Sequence, residues 1–324
     1  MVEKEVVTLP EGSGGKEMDD LITSFGIKHR GDWKNCDNDS STIEIGGKNH
    51  LVFTTDSFVV SPIFFPDANI GHIAFCGTVN DLCMMGAKPL GLSLSFIIEE
   101  GFSKIDLKVI TDTRNSLSKK YNVPIATGDT KVMEKGKIDK IIINTSGVGI
   151  TESILDKKLT PGDEIILSGG IGEHAVALLS KRFDYKTSII SDSKPIVNEM
   201  NAVKGLIKQA KDPTRGGISS ILNDICLKNA VGMLLEEDSI PAKHEVRKVV
   251  EMLGINLYEL ASEGRFVCIS SKETSKKVLD ELKKFNKDAA IIGKITIGDK
   301  VILNTCLGQR ILPPPTGRIV PRIC

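Results

Sequence analysis

The chain turns at its middle. Thr160-Pro161-Gly162-Asp163 is a strong turn signal, because proline presets φ, glycine takes positive φ and aspartate bonds its own backbone. On both sides of it the sequence mixes short strand signals with helical ones. A chain of 324 residues exceeds the roughly 100–200 residues of one domain, so the turn reads as a domain boundary. Before it, Leu51–Thr54 is a short apolar run leading to Asp56. Apolar residues recur at helical spacing from Ile70 to Met85 and stop at Gly86, a natural C-cap. Leu90–Ile98 reads as a buried strand, Ser103–Asp106 as a capped helix start running to about Tyr121, and Ile141–Ile150 as a strand. After the turn come strands at Ile165–Leu167, Phe266–Ile269 and Ala289–Ile297, with helices at Gly216–Asn229 and Glu273–Phe285. The expected fold is α+β (mixed α/β), two domains each with helices packed on one face of a sheet. The predicted divisions are 1–155, 156–310 and a tail, 311–324.

The tail holds Pro313, Pro314, Pro315 and Pro321 among the chain's 13 prolines. Proline removes backbone donors and favours extended structure, which makes this segment a semi-rigid arm rather than a helix or central strand. A frayed terminus is the bland alternative, but Ile311, Leu312, Ile319, Val320 and Ile323 give the arm apolar side chains to dock.

Basic and acidic residues balance at 42 each, which argues against a nucleic-acid or anionic-membrane partner. No apolar run approaches the roughly 18 residues of a membrane span, and Met1–Glu5 begins no signal peptide. Seven cysteines cannot pair completely, and Cys36, Cys76, Cys83, Cys226, Cys268 and Cys306 show no C-x-x-C spacing. The expectation is a cytoplasmic protein with reduced thiols. Cys324, the last residue of the sequence, stands apart: a thiol on an arm serves as a nucleophile or attachment point, or falls there by chance. Arg318 and Arg322 favour its thiolate, while its own α-carboxylate opposes them.

Several aspartates sit at segment ends. Asp39, Asp56 after a strand, Asp81 beside Asn80 inside an apolar helix, Asp129 in Gly128-Asp129-Thr130-Lys131, and Asp212 in Asp212-Pro213-Thr214-Arg215-Gly216-Gly217 are each explained singly as turn or cap residues. Together they are the hard oxygen ligands that Mg²⁺ with phosphate requires. Asp81 is the least ordinary, since an acid in an apolar helix needs a partner. Gly12-Ser13-Gly14-Gly15 precedes a helix-like segment, Glu17–Phe25, and could cradle phosphate or be only a flexible turn. Lys131 could bind phosphate or shuttle a proton, and Glu263 could act as a base, or both could be surface charges. His174 reads as a solvent-facing histidine.

These blocks, with Thr55-Asp56-Ser57, Pro62-Ile63-Phe64-Phe65-Pro66, Gly77-Thr78-Val79-Asn80-Asp81-Leu82, Glu263-Gly264 and above all the ending Pro321-Arg322-Ile323-Cys324, resemble the HypE family of hydrogenase maturation factors. That family lies in the superfamily of aminoimidazole ribonucleotide synthetase and selenophosphate synthetase. The resemblance runs end to end. It implies a homodimer, paired through N-terminal domains, that accepts a carbamoyl group on Cys324 from a HypF-type carbamoyltransferase. ATP then drives dehydration of the S-carboxamide to a thiocyanate, and cyanide passes to iron on a HypC–HypD complex for NiFe hydrogenase. It further implies Asp39, Asp56, Asp81 and Asp212 as Mg²⁺ ligands. For ATP it implies Gly12, Ser13, Gly14, Gly15, Asn80, Asp129, Thr130 and Arg215 with Asp56, Asp81 and Asp212, and for catalysis Cys324, Lys131 and Glu263. Two positions depart from the family pattern: Glu11, often His, and Arg265, often Lys.

Two other functions compete: an ATP-dependent synthetase acting on a free small molecule, which would not need Cys324, and a non-catalytic cysteine carrier, which would not need the acids. An arm that serves both its own active site and outside partners is expected to take two positions.

Overall fold

The computed structural model describes residues 6–316, 320 and 322–324; Met1–Glu5, Arg318, Ile319 and Pro321, weighed above, lie outside the described residues. A 3₁₀ turn (Leu9–Gly12) leads through the glycines into α1 (Lys16–Ser24). Then follow β1 (Ser41–Gly46), β2 (Asn49–Phe58), the two-residue strands β3 (Phe64–Phe65) and β4 (Ala68–Asn69), and α2 (Ile70–Met84). β5 (Lys88–Glu99), α3 (Lys104–Tyr121), β6 (Ile125–Met133) and β7 (Ile141–Thr151) complete the first half. Its five-stranded sheet has the order β1-β2-β7-β5-β6. Only β5 and β6, joined through α3, run parallel, as a crossover helix requires.

The strand around Asp56 is longer than the apolar run suggested. Thr54, Asp56 and Phe58 share the inward face of β2 with Val52, and Thr55 and Ser57 point outward. Gly128–Lys131 likewise lies within a strand, β6, rather than at a segment end. In both cases the polar side chains obscure a strand that one open face allows.

α2 is buried nearly all round, and of its residues only His72 and Asp81 are partly accessible. Asn69 caps it by accepting from the backbone N–H groups of Gly71 and His72. The helix fills the seam between the two halves, and both apolar cores mix residues from each half: Phe58, Ile73 and Ile143 with Ile165 and Leu260 in one, Val52, Phe75 and Leu82 with Ile166 and Phe266 in the other.

The second half comprises β8 (Glu164–Leu167), α4 (Glu173–Arg182), α5 (Val197–Val203), β9 (Gln209–Lys211), α6 (Gly217–Asn229), β10 (Gly232–Glu236), α7 (His244–Leu253), β11 (Val267–Ser270), α8 (Lys272–Lys283), β12 (Ala290–Thr296), β13 (Val301–Thr305) and β14 (Gly308–Ile311). Its sheet has the order β14-β13-β10-β12-β8-β11-β9. Gly162 in the central turn has φ +97. Among the described residues no helix is long and apolar enough to cross a membrane.

The tail is docked at its start and at its far end. Leu312 is fully buried and its N–H donates to Val301 O. Ser219 and Asn223 on α6 donate to the carbonyls of Pro313 and Leu312. At the far end Ile323 is buried, Ser61 N donates to Arg322 O and Val59 N to Cys324 O, so the last residues extend the chain alongside 59–61.

Candidate active site

A chamber of about 290 Å³ opens at the seam between the halves. β2 contributes Thr54, Asp56 and Phe58, α2 contributes Asp81, and the loop before β1 contributes Asp39. From the second half come Lys211 at the end of β9, Asp212, Arg215 and Glu263. Cys324 closes it. Asp39, Asp56, Asp81, Asp212, Arg215, Glu263 and Cys324, scattered over nearly the whole sequence, are brought to this one cavity.

The glycine loop forms one wall. Gly14 and Gly15 have φ +88 and +79. A Cβ on Gly15 would stand 2.5 Å from Pro315 O, and one on Gly14 2.9 Å from Arg215 Cβ. Only glycine permits this close seam of loop, Arg215 and tail. Gly12 and Ser13 line a neighbouring cavity of about 400 Å³ on the other side of Cys324. Glu11 lines that cavity too, but its carboxylate is engaged: it accepts from both the N–H and the hydroxyl of Thr8, a reciprocal cap of the 3₁₀ turn.

The chamber is strongly acidic. Lys211 Nζ lies 3.3 Å from Asp39 Oδ1 and 3.5 Å from Asp224 Oδ2. Asp81 receives the Thr54 hydroxyl at 2.9 Å, the partner its place in an apolar helix demanded. Burial, then repulsion from neighbouring carboxylates (Asp56 on Asp81, Asp39 and Asp56 on Asp212, Asp212 and Asp192 on Glu263), pushes Asp81, Asp212 and Glu263 well above the usual carboxylate range. Burial also raises Asp39 and Asp56, against the opposing charges of Lys211 and Arg215 respectively. Asp39 Oδ2, Asp212 Oδ2 and Glu263 Oε1 are buried without a hydrogen-bond partner. Such oxygens fit a divalent cation held jointly with phosphate, since Mg²⁺ keeps water and phosphate oxygens and needs few carboxylates. Among the described residues no three acids, histidines or cysteines form a ready-made metal cage.

Cys324 is partly accessible through the cavities on its two sides. Burial pushes its thiol up to about 12, with Arg215 opposing. The cation acting on it is thus Arg215; Arg322 is engaged by Asp139 at 2.6 Å and by Val59 O. Docked, the thiol is protonated and a poor nucleophile.

Not every predicted residue reaches the chamber. Asn80 is buried, with its amide donating to the carbonyls of Lys194 and Glu263 and accepting from Ile196 N; it braces the segment carrying Glu263. Asp129, Thr130 and Lys131 lie on the exposed edge strand β6, where Lys131 Nζ pairs with Asp129 at 2.9 Å. His174 is fully buried rather than solvent-facing, because the tail packs over the start of α4. Lys211, Asp224 and Asp19 line the chamber and escaped the sequence reading. Lys211 had one available signal, its place directly before the Asp212 block.

The family described as AIR synthase related protein matches this chain in both its N-terminal domain, at residues 37–151, and its C-terminal domain, at residues 160–305. The chain is 42% identical over 335 residues to the carbamoyl dehydratase HypE of Rhizobium leguminosarum bv. viciae, covering 98% of this chain and 95% of that one. A solved HypE–HypF complex contains a chain that superposes with a TM-score of 0.85 at 37% identity, covering 93% of this chain and 100% of that one. A HypE solved in complex with ATP superposes with a TM-score of 0.81 at 32% identity, with 98% and 100% covered.

Proposed function

The chain belongs to the HypE family of carbamoyl dehydratases, and from that premise we propose that it dehydrates an S-carboxamide on Cys324 to a thiocyanate at the expense of ATP, supplying cyanide for NiFe hydrogenase. The observation that carries this reading is that the chain's own cysteine closes the acidic chamber. A free small substrate would have to share that space with Cys324, and a mere carrier has no need of buried acids.

The chemistry balances. The amide oxygen attacks the γ-phosphorus and ADP leaves. Loss of two protons from nitrogen then expels phosphate, and the C–O bond is replaced by the nitrile. Phosphoryl transfer depends on positioning and charge neutralisation. Arg215, in the chamber with Cys324, would hold the polarised carboxamide oxygen, and Lys211 would meet phosphate charge. Glu263, with one unpartnered oxygen in the chamber, takes one nitrogen proton and the departing phosphate takes the other. Asp39, Asp56, Asp81 and Asp212 would hold Mg²⁺, whose chemistry is to neutralise and orient the nucleotide phosphates.

A protonated thiol docked in the chamber is not disposed to attack a carbamoyl donor. The tail therefore takes a second, outward position to meet the HypF-type carbamoyltransferase and later the HypC–HypD complex. The exposed strand β6 belongs to the pairing face of a cytoplasmic homodimer, and Asp129, Thr130 and Lys131 meet nucleotide across that pairing. Intact-mass measurement after incubation with the carbamoyltransferase, carbamoyl phosphate and Mg-ATP tests the reaction. One carbamoyl gain followed by loss of one water, both mapping to Cys324, is expected; a carbamoyl group that persists through ATP consumption overturns it.

A further inference from the structure

His174, the second residue of α4, has no part in the chemistry above, yet it is fully buried and both ring nitrogens are engaged. Nε2 lies 2.9 Å from the carbonyl oxygen of Ile323, and Nδ1 2.9 Å from Ser191 Oγ. Phe65 meets the ring edge-on at 5.3 Å between centroids. A carbonyl only accepts, so Nε2 carries the proton. Burial lowers the pKa of the ring, leaving the neutral form, so Nδ1 accepts from the Ser191 hydroxyl. Ser191 Oγ in turn accepts from Ser193 N at 3.1 Å. One directed chain therefore runs from Ser193 through Ser191 and His174 to the peptide bond that bears Cys324.

The same three-residue segment also holds the other side of the reaction. Asp192 Oδ1 accepts from Glu263 N at 3.1 Å, and a Cβ on Gly264 would stand 2.0 Å from Asp192 O. Segment 191–193 thus bonds to the tail through His174 and to the backbone of Glu263 directly.

We propose that His174 is a positioning residue for dehydration: by donating to the Ile323 carbonyl it registers the carboxamide on Cys324 against Glu263 through the shared segment 191–193. The inference rests on the dehydratase reading above. Holding two groups in register is worth orders of magnitude in rate, and His174 itself does not line the chamber.

The test compares wild type with His174→Ala, His174→Gln and Ser191→Ala in the full-length protein. With protein carbamoylated at Cys324, single-turnover loss of water at saturating Mg-ATP is expected to slow about tenfold or more in His174→Ala. It should recover most of its rate in His174→Gln, whose amide N–H can replace the donor, and slow less in Ser191→Ala, which frees only the ring. ATP affinity should stay within about twofold. Independently, maleimide labelling of unmodified protein, mapped by peptide mass, should show Cys324 reacting severalfold faster in His174→Ala relative to the exposed Cys306. Wild-type rate and labelling in His174→Ala would overturn the proposal, as would equal losses in the Ala and Gln variants. If wild-type carbamoylated protein loses no water, the dehydratase reading fails, while labelling still decides whether His174 holds the tail.

Discussion

Two regions carry the polar residues that the sequence singled out, and they differ in completeness. The chamber at the seam collects acids, Lys211, Arg215 and Cys324 from both halves of one chain, buried and mutually perturbing. Strand β6 carries Asp129, Thr130 and Lys131 on an exposed edge, where the ion pair is local and solvated. An exposed pair is worth at most about 1 kcal/mol, so its arrangement cannot be explained by stability. The buried acids are costly to keep together, which is the mark of a site shaped by chemistry. The first region is enclosed within one chain; the second is open to solvent.

The largest expected effect falls in the chamber. Cys324→Ala should abolish all carbamoyl-dependent ATP turnover, measured as phosphate release, while far-ultraviolet circular dichroism stays that of the wild type. Retained carbamoyl-dependent turnover would detach the chamber from its cysteine.

Asp81→Asn should cost at least about a hundredfold in dehydration rate, on the scale of lost preorganised charge, and yet raise the melting temperature of ligand-free protein. A folded pKa raised above the unfolded value near 4 means the native state binds more protons than the unfolded one. Stability contributed by Asp81, Asp212 and Glu263 is therefore lost as pH rises above about 4 toward the raised folded values. Calorimetry from pH 5 to 8 should show a falling melting temperature in wild type and a shallower fall in Asp81→Asn. At pH 8 the variant should be ahead by about 2–4 °C per kcal/mol of relief. A steeper fall in the variant would contradict the crowding of charge.

Lys131→Ala should slow dehydration by about tenfold. Mixing Lys131→Ala with Cys324→Ala protein should restore part of the activity if β6 serves across subunits. Full activity in Lys131→Ala alone would remove the strand from the site and leave the chamber sufficient. The smallest effect is structural: Gly264→Ala places a Cβ 2.0 Å from Asp192 O and should destabilise by about 1–3 kcal/mol, read by urea titration.

Much of the fold was legible because periodicity is local. α2 and α3 follow from helical spacing and caps, and β5, β7, β11 and β12 from short apolar or β-rich runs. The strand carrying Asp56 is longer than its apolar run, and Asp129 lies inside a strand rather than at a segment end, since their polar residues follow the pleat rather than the composition. β1, α4 and α7 were not singled out, and His174 was read as exposed because nothing near it in sequence covers it.

By itself the sequence determined the two-part mixed fold, the glycine loop, the acidic blocks and the arm ending in cysteine, all set by local geometry and residue chemistry. Only the tertiary structure decided that Asp39, Asp56, Asp81, Asp212, Glu263 and Cys324 meet in one chamber. It also decided that Lys211 lines the same chamber, that Asn80 bonds the Glu263 carbonyl and His174 the Ile323 carbonyl, and that Lys131 stands apart on β6. Contacts across more than a hundred residues depend on how the halves pack around α2, and burial, which sets these pKa values, exists only once they do.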